Sequence, residues 1–238
     1  MQIIFLDTET TGNDLSKDRL CQICYQVGDT LKTEFFKPSL PISVKAMSIT
    51  HITNKMVADK EPFEGSETKI NLQSLLNEGV LVAHNVKFDA AMLESEGIVI
   101  PNRICTLRIA RYVDSEGLIP EYNLQYLRYY LDLEIDGNAH DAEGDVKVLK
   151  AVFERLFSKM RKDEIDDEAT IQKMIQISGN PSLYRQFNFG KYKDKKIEEV
   201  LKFDKGYLEW LLKSKLESGE NDEDWIYTLR HYLGIKVG

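Results

Sequence analysis

The chain has 238 residues, 42% of them hydrophobic and 29% charged, with a formal net charge of −8. This length suits one sizeable domain and a small one, and no apolar run is long enough to span a membrane. We expect no signal peptide, and only three cysteines in so long a chain indicate a reducing, cytoplasmic setting. The acidic balance does not exclude nucleic acid as a partner, because bound metal would neutralise part of the charge.

The first predicted element is a buried strand, the apolar run from Ile3 to Leu6, followed by Asp7 and Glu9. Residues two apart in a strand share a face, so these two carboxylates lie on one side, about 7 Å apart along the strand. They repel each other there, and a hard cation such as Mg²⁺ or Mn²⁺ would relieve that repulsion. For an isolated pair, two solvated acids at a strand end would be the favoured interpretation.

Strands and helices then follow one another along the chain. The patterns predict a hairpin over 20–37, a helix over 67–77 and a buried strand over 80–83. They also predict a short strand over 103–105 and a strongly periodic helix over 146–157. This order indicates an α/β domain with helices flanking a sheet.

The chain divides into three parts by composition. Residues 1–160 hold the predicted α/β domain, and the stretch 161–168 is highly charged and almost devoid of apolar residues. We therefore interpret this stretch as a linker or a solvated helix end, and assign 161–182 to the linker. Apolar and aromatic residues resume at Leu183, which predicts a small C-terminal module over 183–238.

The pair Cys21 and Cys24 spells C-x-x-C, which is typical of zinc or redox sites. It lies in a predicted strand, where residues three apart face opposite sides. The sequence holds no second pair of this kind. We therefore expect neither zinc nor redox chemistry here.

Three short motifs carry the predicted chemistry. They read DTETTG at 7–12, HNVKFD at 84–89 and HDAEGD at 140–145. Each acid and histidine has an ordinary structural explanation when taken alone, such as a first-turn helix residue or a cap. Together, in this order and spacing, the motifs resemble the DEDD exonucleases, in the subgroup whose third motif carries a histidine. The segments PSL at 181–183, FGKYK at 189–193, GYLEWL at 206–211 and TLRHYL at 228–233 also resemble the tail of the bacterial exodeoxyribonuclease X group.

The resemblance implies an α/β, ribonuclease H-like exonuclease domain, with a mixed central sheet flanked by helices, and hydrolysis assisted by two Mg²⁺ or Mn²⁺ ions. His140 is the implied general base, since an unperturbed histidine pKa of about 6.5 suits proton transfer near neutral pH. Four carboxylates are implied to hold the metal ions: Asp7, Glu9, Asp89 and Asp145. Four further residues are implied to contact the terminal nucleotide: Thr8, Thr10, Asn85 and Phe88. The alternative interpretation of Phe88 is a role in the hydrophobic core.

Basic and aromatic residues alternate near the start of the C-terminal module. Residues 185–205 hold seven Lys or Arg against four Asp or Glu, interleaved with four Phe or Tyr. This mixture suits contact with phosphates and bases, and a self-packed module with an aromatic core is the equal alternative. The lysines predicted to contact DNA are Lys191, Lys193, Lys195 and Lys196.

The leading hypothesis is a 3′→5′ exodeoxyribonuclease that releases nucleoside monophosphates from single- or double-stranded DNA ends, in repair or end trimming. One alternative is a 3′→5′ exoribonuclease on the same scaffold, because the motifs do not reveal how the site treats the 2′-hydroxyl. Another is a non-catalytic nucleic-acid-binding module. The intact set of acids argues against that alternative, because binding alone does not need clustered carboxylates.

Overall fold

The computed structural model describes residues 1–135, 142–161, 166–218 and 222–235. Five strands lie in these ranges: β1 (Gln2–Thr10), β2 (Leu20–Val27), β3 (Thr30–Phe35), β4 (Gly79–Ala83) and β5 (Arg103–Cys105). The helices described are α1 (Val44–Thr50), α2 (Asn54–Val57), α3 (Glu67–Glu78), α4 (Lys87–Ser95), α5 (Thr106–Val113), α6 (Leu124–Tyr130), α7 (Ala142–Met160), α8 (Asp167–Ser178), α9 (Ile197–Phe203), α10 (Lys205–Glu217) and α11 (Glu223–Leu233). None of the helices in the described ranges combines the length and hydropathy that crossing a bilayer requires.

The five strands form one mixed sheet in the order β3-β2-β1-β4-β5. Strand β1 pairs antiparallel with β2 and parallel with β4, which places it at the centre. It continues to Thr10, four residues past the apolar run, because β2 supplies ladder partners along that extension. The acids that follow Leu6 therefore lie inside the central strand, and the predicted mixed sheet flanked by helices is confirmed.

Side chains of β1 alternate between two hydrophobic clusters, one on each face of the sheet. Ile4 and Leu6 pack with residues of α3 and α4. Phe5 packs on the opposite face with residues of α5, α7 and α8, and its ring lies edge-on to Phe153 of α7 at 5.3 Å between centroids. We call the face that packs against α3 and α4 the α4 face, and the opposite one the α7 face. The same alternation places Thr8 on the α4 face and places Asp7 and Glu9 on the α7 face.

The two cysteines of the C-x-x-C pair lie in β2 and belong to different clusters. Cys21 packs with α1 and its surroundings, whereas Cys24 packs in the cluster that contains α7. Both thiols are buried and neither forms a disulfide. The predicted separation of the two side chains onto opposite faces is confirmed.

The segment interpreted as a linker, 161–182, contains helix α8, which the sequence analysis did not predict. Asp166 caps this helix by accepting a hydrogen bond from the Ala169 N–H at 2.7 Å, and acidic residues in the first turn favour its N-terminus. Ile171 and Met174 of α8 are buried in the cluster on the α7 face. Asp166, Asp167 and Glu168 thus lie at a helix start, and α8 belongs to the core of the sheet domain.

The C-terminal segment has a hydrophobic cluster of its own. Phe187, Tyr192 and Trp225 are buried there with residues of α9, α10 and α11. Phe187 stacks on Trp225 at 5.4 Å between ring centroids. The aromatic residues of this module therefore supply much of its core. The exact division of the chain at residues 160 and 183 stays a prediction.

Candidate active site

The first motif lies in the second half of β1. Asp7 and Glu9 are both half-buried and share the α7 face of the sheet. The ladder with β2 shifts register between Glu9 and Thr10, so the strand is irregular directly after the second acid. Such irregularities re-aim side chains next to functional sites.

Asp89 reaches the same region from the first turn of α4. Its Oδ1 accepts hydrogen bonds from the N–H of Thr8 at 3.1 Å and from the Thr8 hydroxyl at 2.8 Å. The carboxyl is 5% exposed, and burial raises its pKa to about 7, while the two bonds from Thr8 lower the pKa and offset part of that effect. The first and second motifs are therefore in direct contact.

Asp145 lies near the start of α7, where it is 9% exposed. Its Oδ1 accepts a hydrogen bond of 2.6 Å from Nε2 of Gln125 in α6. The sequence analysis did not identify Gln125, because it belongs to no motif and lies 20 residues from its partner. The carboxylate of the third motif is thus oriented by a neighbouring helix.

The four predicted carboxylates meet around Asp7. Burial raises the pKa of Asp7 well above its usual value, and the charges of Asp89, Glu9 and Asp145 raise it further, in that order. Like charges near one another favour the protonated form. The structure therefore brings all four acids together, as predicted, and their individual roles stay predictions.

The chemistry of this donor set fits a hard divalent cation, because carboxylate oxygens are the ligands that Mg²⁺ and Mn²⁺ prefer. In the described part of the chain, no group of three or more His, Cys, Asp or Glu side chains is already arranged to hold an ion. Asp89 and Asp145 instead point oxygens at Thr8 and Gln125. A carboxylate has two oxygens, so one can accept these bonds while the other binds an ion.

His140, the predicted general base, lies outside the described residues. The structure resumes at Ala142, and Asp145 follows in the first turn of α7. The role of His140 stays a prediction from the third motif.

The residues predicted to contact the terminal nucleotide have different environments. Thr8 is buried with its hydroxyl bonded to Asp89, and the Thr10 hydroxyl donates to the Gly12 carbonyl at 2.6 Å. Asn85 is exposed and adopts a left-handed backbone conformation with φ of 63°, which asparagine tolerates. Phe88 is half-buried and packs against the cluster on the α4 face. This packing favours the core alternative for Phe88 and leaves Asn85 the most accessible of the four.

His84 is held between two elements beside this site. Its Nε2 lies 2.7 Å from the Tyr122 carbonyl oxygen, and its Nδ1 lies 2.9 Å from the Thr106 hydroxyl. Burial lowers the pKa of His84 to about 4. The imidazole is therefore neutral at pH 7, which indicates a structural role in joining the second motif to the α5–α6 region.

A groove that the sequence analysis missed opens next to the second motif. It has a volume of about 780 Å³ and runs between the β4–α4 turn, α5 and the N-terminus of α11. Basic side chains of three elements line it: Lys87, Arg103, Arg108 and Arg111. Arg103, Arg108 and Arg111 lie within 103–111, but no local pattern relates them to Lys87 in the second motif.

The four lysines predicted to contact DNA from the C-terminal module are all exposed. Lys191 forms an ion pair of 3.1 Å with Asp204 and lies 4.6 Å from the Tyr192 ring centroid. Of the interleaved aromatic residues, Phe187 and Tyr192 are buried, whereas Phe203 is 61% exposed. The lysines are accessible to a polyanion, whereas two of the four aromatic side chains are buried and therefore not accessible for stacking.

Comparisons with known proteins match both parts of the chain. A family model described as Exonuclease (RNase_T) matches residues 4–153, and one described as Exodeoxyribonuclease X-like C-terminal matches residues 187–214. The chain is 29% identical over 233 residues to Exodeoxyribonuclease 10 of Escherichia coli (strain K12), covering 96% of this chain and 97% of that protein. It is 28% identical over 187 residues to DNA polymerase III subunit epsilon of Treponema pallidum (strain Nichols), covering 71% of this chain and 85% of that protein.

Solved structures share the fold. Exonuclease X in complex with 5′ overhanging duplex DNA matches with a TM-score of 0.58 at 23% identity, covering 74% of this chain and 99% of that one. The zinc-bound E. coli ExoI–ssDNA complex matches with a TM-score of 0.56 at 22% identity, covering 67% of this chain and 42% of that one. These likenesses confirm the predicted ribonuclease H-like fold.

The Exonuclease model spans well over half of the chain and contains all four clustered acids as well as His140. The resemblance inferred from the motifs is therefore confirmed. Enzymes of this family depend on metal ions, in agreement with the donor set around Asp7. From the matched family model, the fold and the four acids it brings together, we conclude that this chain belongs to the Exonuclease (RNase_T) family.

Proposed function

We propose that this exonuclease is a 3′→5′ exodeoxyribonuclease that releases nucleoside monophosphates from single- or double-stranded DNA ends. The observation that carries the proposal is the meeting of four carboxylates around Asp7, in a chain that aligns over 96% of its length with a protein named Exodeoxyribonuclease 10. A matching fold carries DNA in the solved complex of Exonuclease X. We propose repair or end trimming as its context, and the cytoplasm, where cysteine thiols stay reduced, as its location.

We propose two Mg²⁺ or Mn²⁺ ions as the cofactor, held by Asp7, Glu9, Asp89 and Asp145. Two such ions stabilise both the attacking and the leaving oxygen of a phosphodiester. The chain's own contribution is to hold four acids so close that burial and mutual repulsion raise the pKa of Asp7. Cation binding removes that repulsion, so the same arrangement favours metal over the empty, partly protonated state.

The remaining chemistry is assigned to residues around the acids. We propose that His140 accepts the proton of the attacking water, for which a near-neutral pKa is suited. Thr8 holds Asp89 in place, and Gln125 does the same for Asp145. Asn85 is exposed at the start of the second motif and is proposed to contact the terminal nucleotide.

Digestion of end-labelled DNA and RNA side by side, with Mg²⁺, Mn²⁺ or EDTA, tests this proposal. We expect release of mononucleotides from the 3′ end of DNA, with a lower rate on RNA and none in EDTA. A label on the 5′ end distinguishes the polarity, because 3′→5′ digestion shortens that labelled strand stepwise. Faster digestion of RNA would favour the exoribonuclease alternative, and release of nucleotides from the 5′ end would overturn the proposed polarity.

A further inference from the structure

The groove beside the second motif contains opposed charges from two parts of the chain. Lys87 and Arg108 approach from α4 and α5, and Glu223 and Asp224 approach from the first turn of α11. The groove is continuous with Asn85, which also lines it. A volume of about 780 Å³ is in the range of sites that hold a nucleotide-sized ligand.

The two acids of α11 have different environments. Asp224 is 13% exposed and accepts hydrogen bonds from the Ser182 N–H at 2.9 Å and the Tyr184 hydroxyl at 3.3 Å, besides its ion pair of 3.1 Å with Arg111. These contacts join the C-terminal module to α5. Asp224 is therefore a docking residue, and its removal would disturb the packing of the module.

Glu223 projects into the groove. Its side chain is 39% exposed, and its Oε1 accepts a hydrogen bond from Nη2 of Arg108 and lies 3.5 Å from Nζ of Lys87. Lys87 is 58% exposed and lies two residues before Asp89, inside the second motif. Two cations beside the second motif are thus covered by a carboxylate that solvent reaches.

A backbone phosphate is negatively charged, as this carboxylate is, and accepts hydrogen bonds from the same donors. Arginine binds carboxylate and phosphate with one geometry, and lysine acts on either as a point charge. We propose, on the basis of the proposed function, that Lys87 and Arg108 bind a backbone phosphate of the DNA strand and that Glu223 takes its place when DNA is absent. Glu223 then lowers the affinity for DNA by competing with the phosphate.

Binding of a labelled single-stranded oligodeoxynucleotide to the full chain, made inactive by Asp7→Ala, tests this competition. Glu223→Gln should bind about 2- to 10-fold more tightly, the equivalent of one or two exposed ion pairs. The matched control is Glu209→Gln, which removes the same charge from the same module and breaks the ion pair of 3.1 Å with Lys205. This control should bind as the parent does.

A second variant tests the cations independently of Glu223. Lys87→Gln should weaken binding and flatten the plot of log affinity against log salt concentration by about 0.7, the value for one phosphate on a single strand. In the Lys87→Gln background, Glu223→Gln should give a smaller gain than in the parent. Thermal unfolding of each variant shows whether the module is still packed.

The proposal is overturned if Glu223→Gln binds DNA equally or more weakly, because its ion pairs would then serve docking alone. An equal gain from Glu209→Gln also overturns it, since the effect would be one of net charge. Hydrolysis of the p-nitrophenyl ester of thymidine 5′-monophosphate by the active parent reports the proposed function separately. If the active parent does not hydrolyse this ester, the nuclease assignment is contradicted. If the parent hydrolyses it but the variants bind DNA as tightly as the parent does, only the present inference is contradicted.

Discussion

Thr8 donates two hydrogen bonds to a single oxygen of Asp89, one from its backbone N–H and one from its hydroxyl, although the residues are 81 positions apart. Thr8 lies between the two acids of the first motif, and its side chain points to the opposite face of β1. The central strand therefore supplies Asp7 and Glu9 on one face and the support of Asp89 on the other. One short stretch of chain thus orients three of the four acids.

Removing the Thr8 hydroxyl should disturb Asp89 specifically. In Thr8→Val the backbone N–H bond remains, but the hydroxyl bond that lowers the pKa of Asp89 is lost, so this pKa should rise further. A hydrogen bond to a charged group contributes about 1.5–3 kcal/mol, so we expect turnover to fall roughly 10- to 100-fold. Thr8→Ser keeps the hydroxyl and should retain most of the rate. Steady-state rates of both variants from pH 6 to 9 check this, and a valine variant with the rate and pH profile of the parent would contradict it.

The raised pKa of Asp89 makes the metal-free protein less stable as pH rises. From the ordinary value of 3.8 to the folded value of about 7, the unfolded chain ionises this carboxyl while the folded chain keeps it protonated. The free energy of unfolding therefore falls across this range. Asp89→Asn keeps an acceptor for Thr8 and does not ionise, so in EDTA at pH 8 it should be about 1–4 kcal/mol more stable than the parent.

This gain should shrink toward zero as the pH is lowered below 3.8, where Asp89 of the parent protein becomes protonated in the unfolded as well as the folded state. Urea unfolding in EDTA at several pH values measures it. Added Mg²⁺ should stabilise the parent more than the variant, because the variant lacks one proposed ligand. A stability difference that is constant with pH would exclude Asp89 as its source.

Asp7→Ala should abolish nuclease activity while leaving the fold intact. The substitution removes the acid around which the other three gather, and it relieves repulsion in the metal-free protein. Digestion of end-labelled DNA and thermal unfolding in EDTA measure the two effects. Asp29→Ala is the matched control, because Asp29 is exposed at the turn between β2 and β3. Substantial turnover by a folded Asp7→Ala protein would contradict the metal assignment.

His140→Ala should slow hydrolysis by about 10²- to 10⁴-fold, the usual range for a general base. Metal binding should persist, because the four proposed ligands remain. The rate of the parent should rise with pH through the histidine range and then level, and the variant should lose that dependence. Calorimetric titration with Mn²⁺ serves as the control. If His140→Ala lost metal binding as completely as Asp7→Ala, His140 would not be assigned as the general base.

Replacing four exposed lysines of the C-terminal module by glutamine should weaken binding to DNA of any sequence and reduce the salt dependence of binding. Each lost phosphate contact lowers the slope on duplex DNA by about 0.9. Binding by catalytically inactive protein at several salt concentrations measures both effects. The substituted lysines are Lys191, Lys193, Lys195 and Lys196. The control replaces four exposed lysines elsewhere: Lys45, Lys55, Lys60 and Lys173. If the two variants had equal slopes of log affinity against log salt concentration, the lysines would not contact DNA and the module would serve in packing alone.

The sequence by itself determined the three motifs, the strand that carries Asp7 and Glu9, and most of the sheet. These features depend on neighbouring residues, since strand alternation and helix spacing are local. The predicted strand over 103–105 matches β5, and the predicted helix over 67–77 differs from α3 by one residue. The family resemblance followed from these local patterns, and the comparisons confirmed it.

Only the tertiary structure decided how the acids are supported and what lies beside them. The bond from Gln125 to Asp145, the burial of α8 and the pairing of Glu223 with Lys87 and Arg108 all join residues that no motif relates. The acidic run before α8 was ambiguous, because the same residues suit a solvated linker and a helix N-terminus. Packing resolved it, since Ile171 and Met174 are buried only when the chain folds back onto the sheet. Contacts between distant segments depend on the whole chain and leave no local periodicity in the sequence.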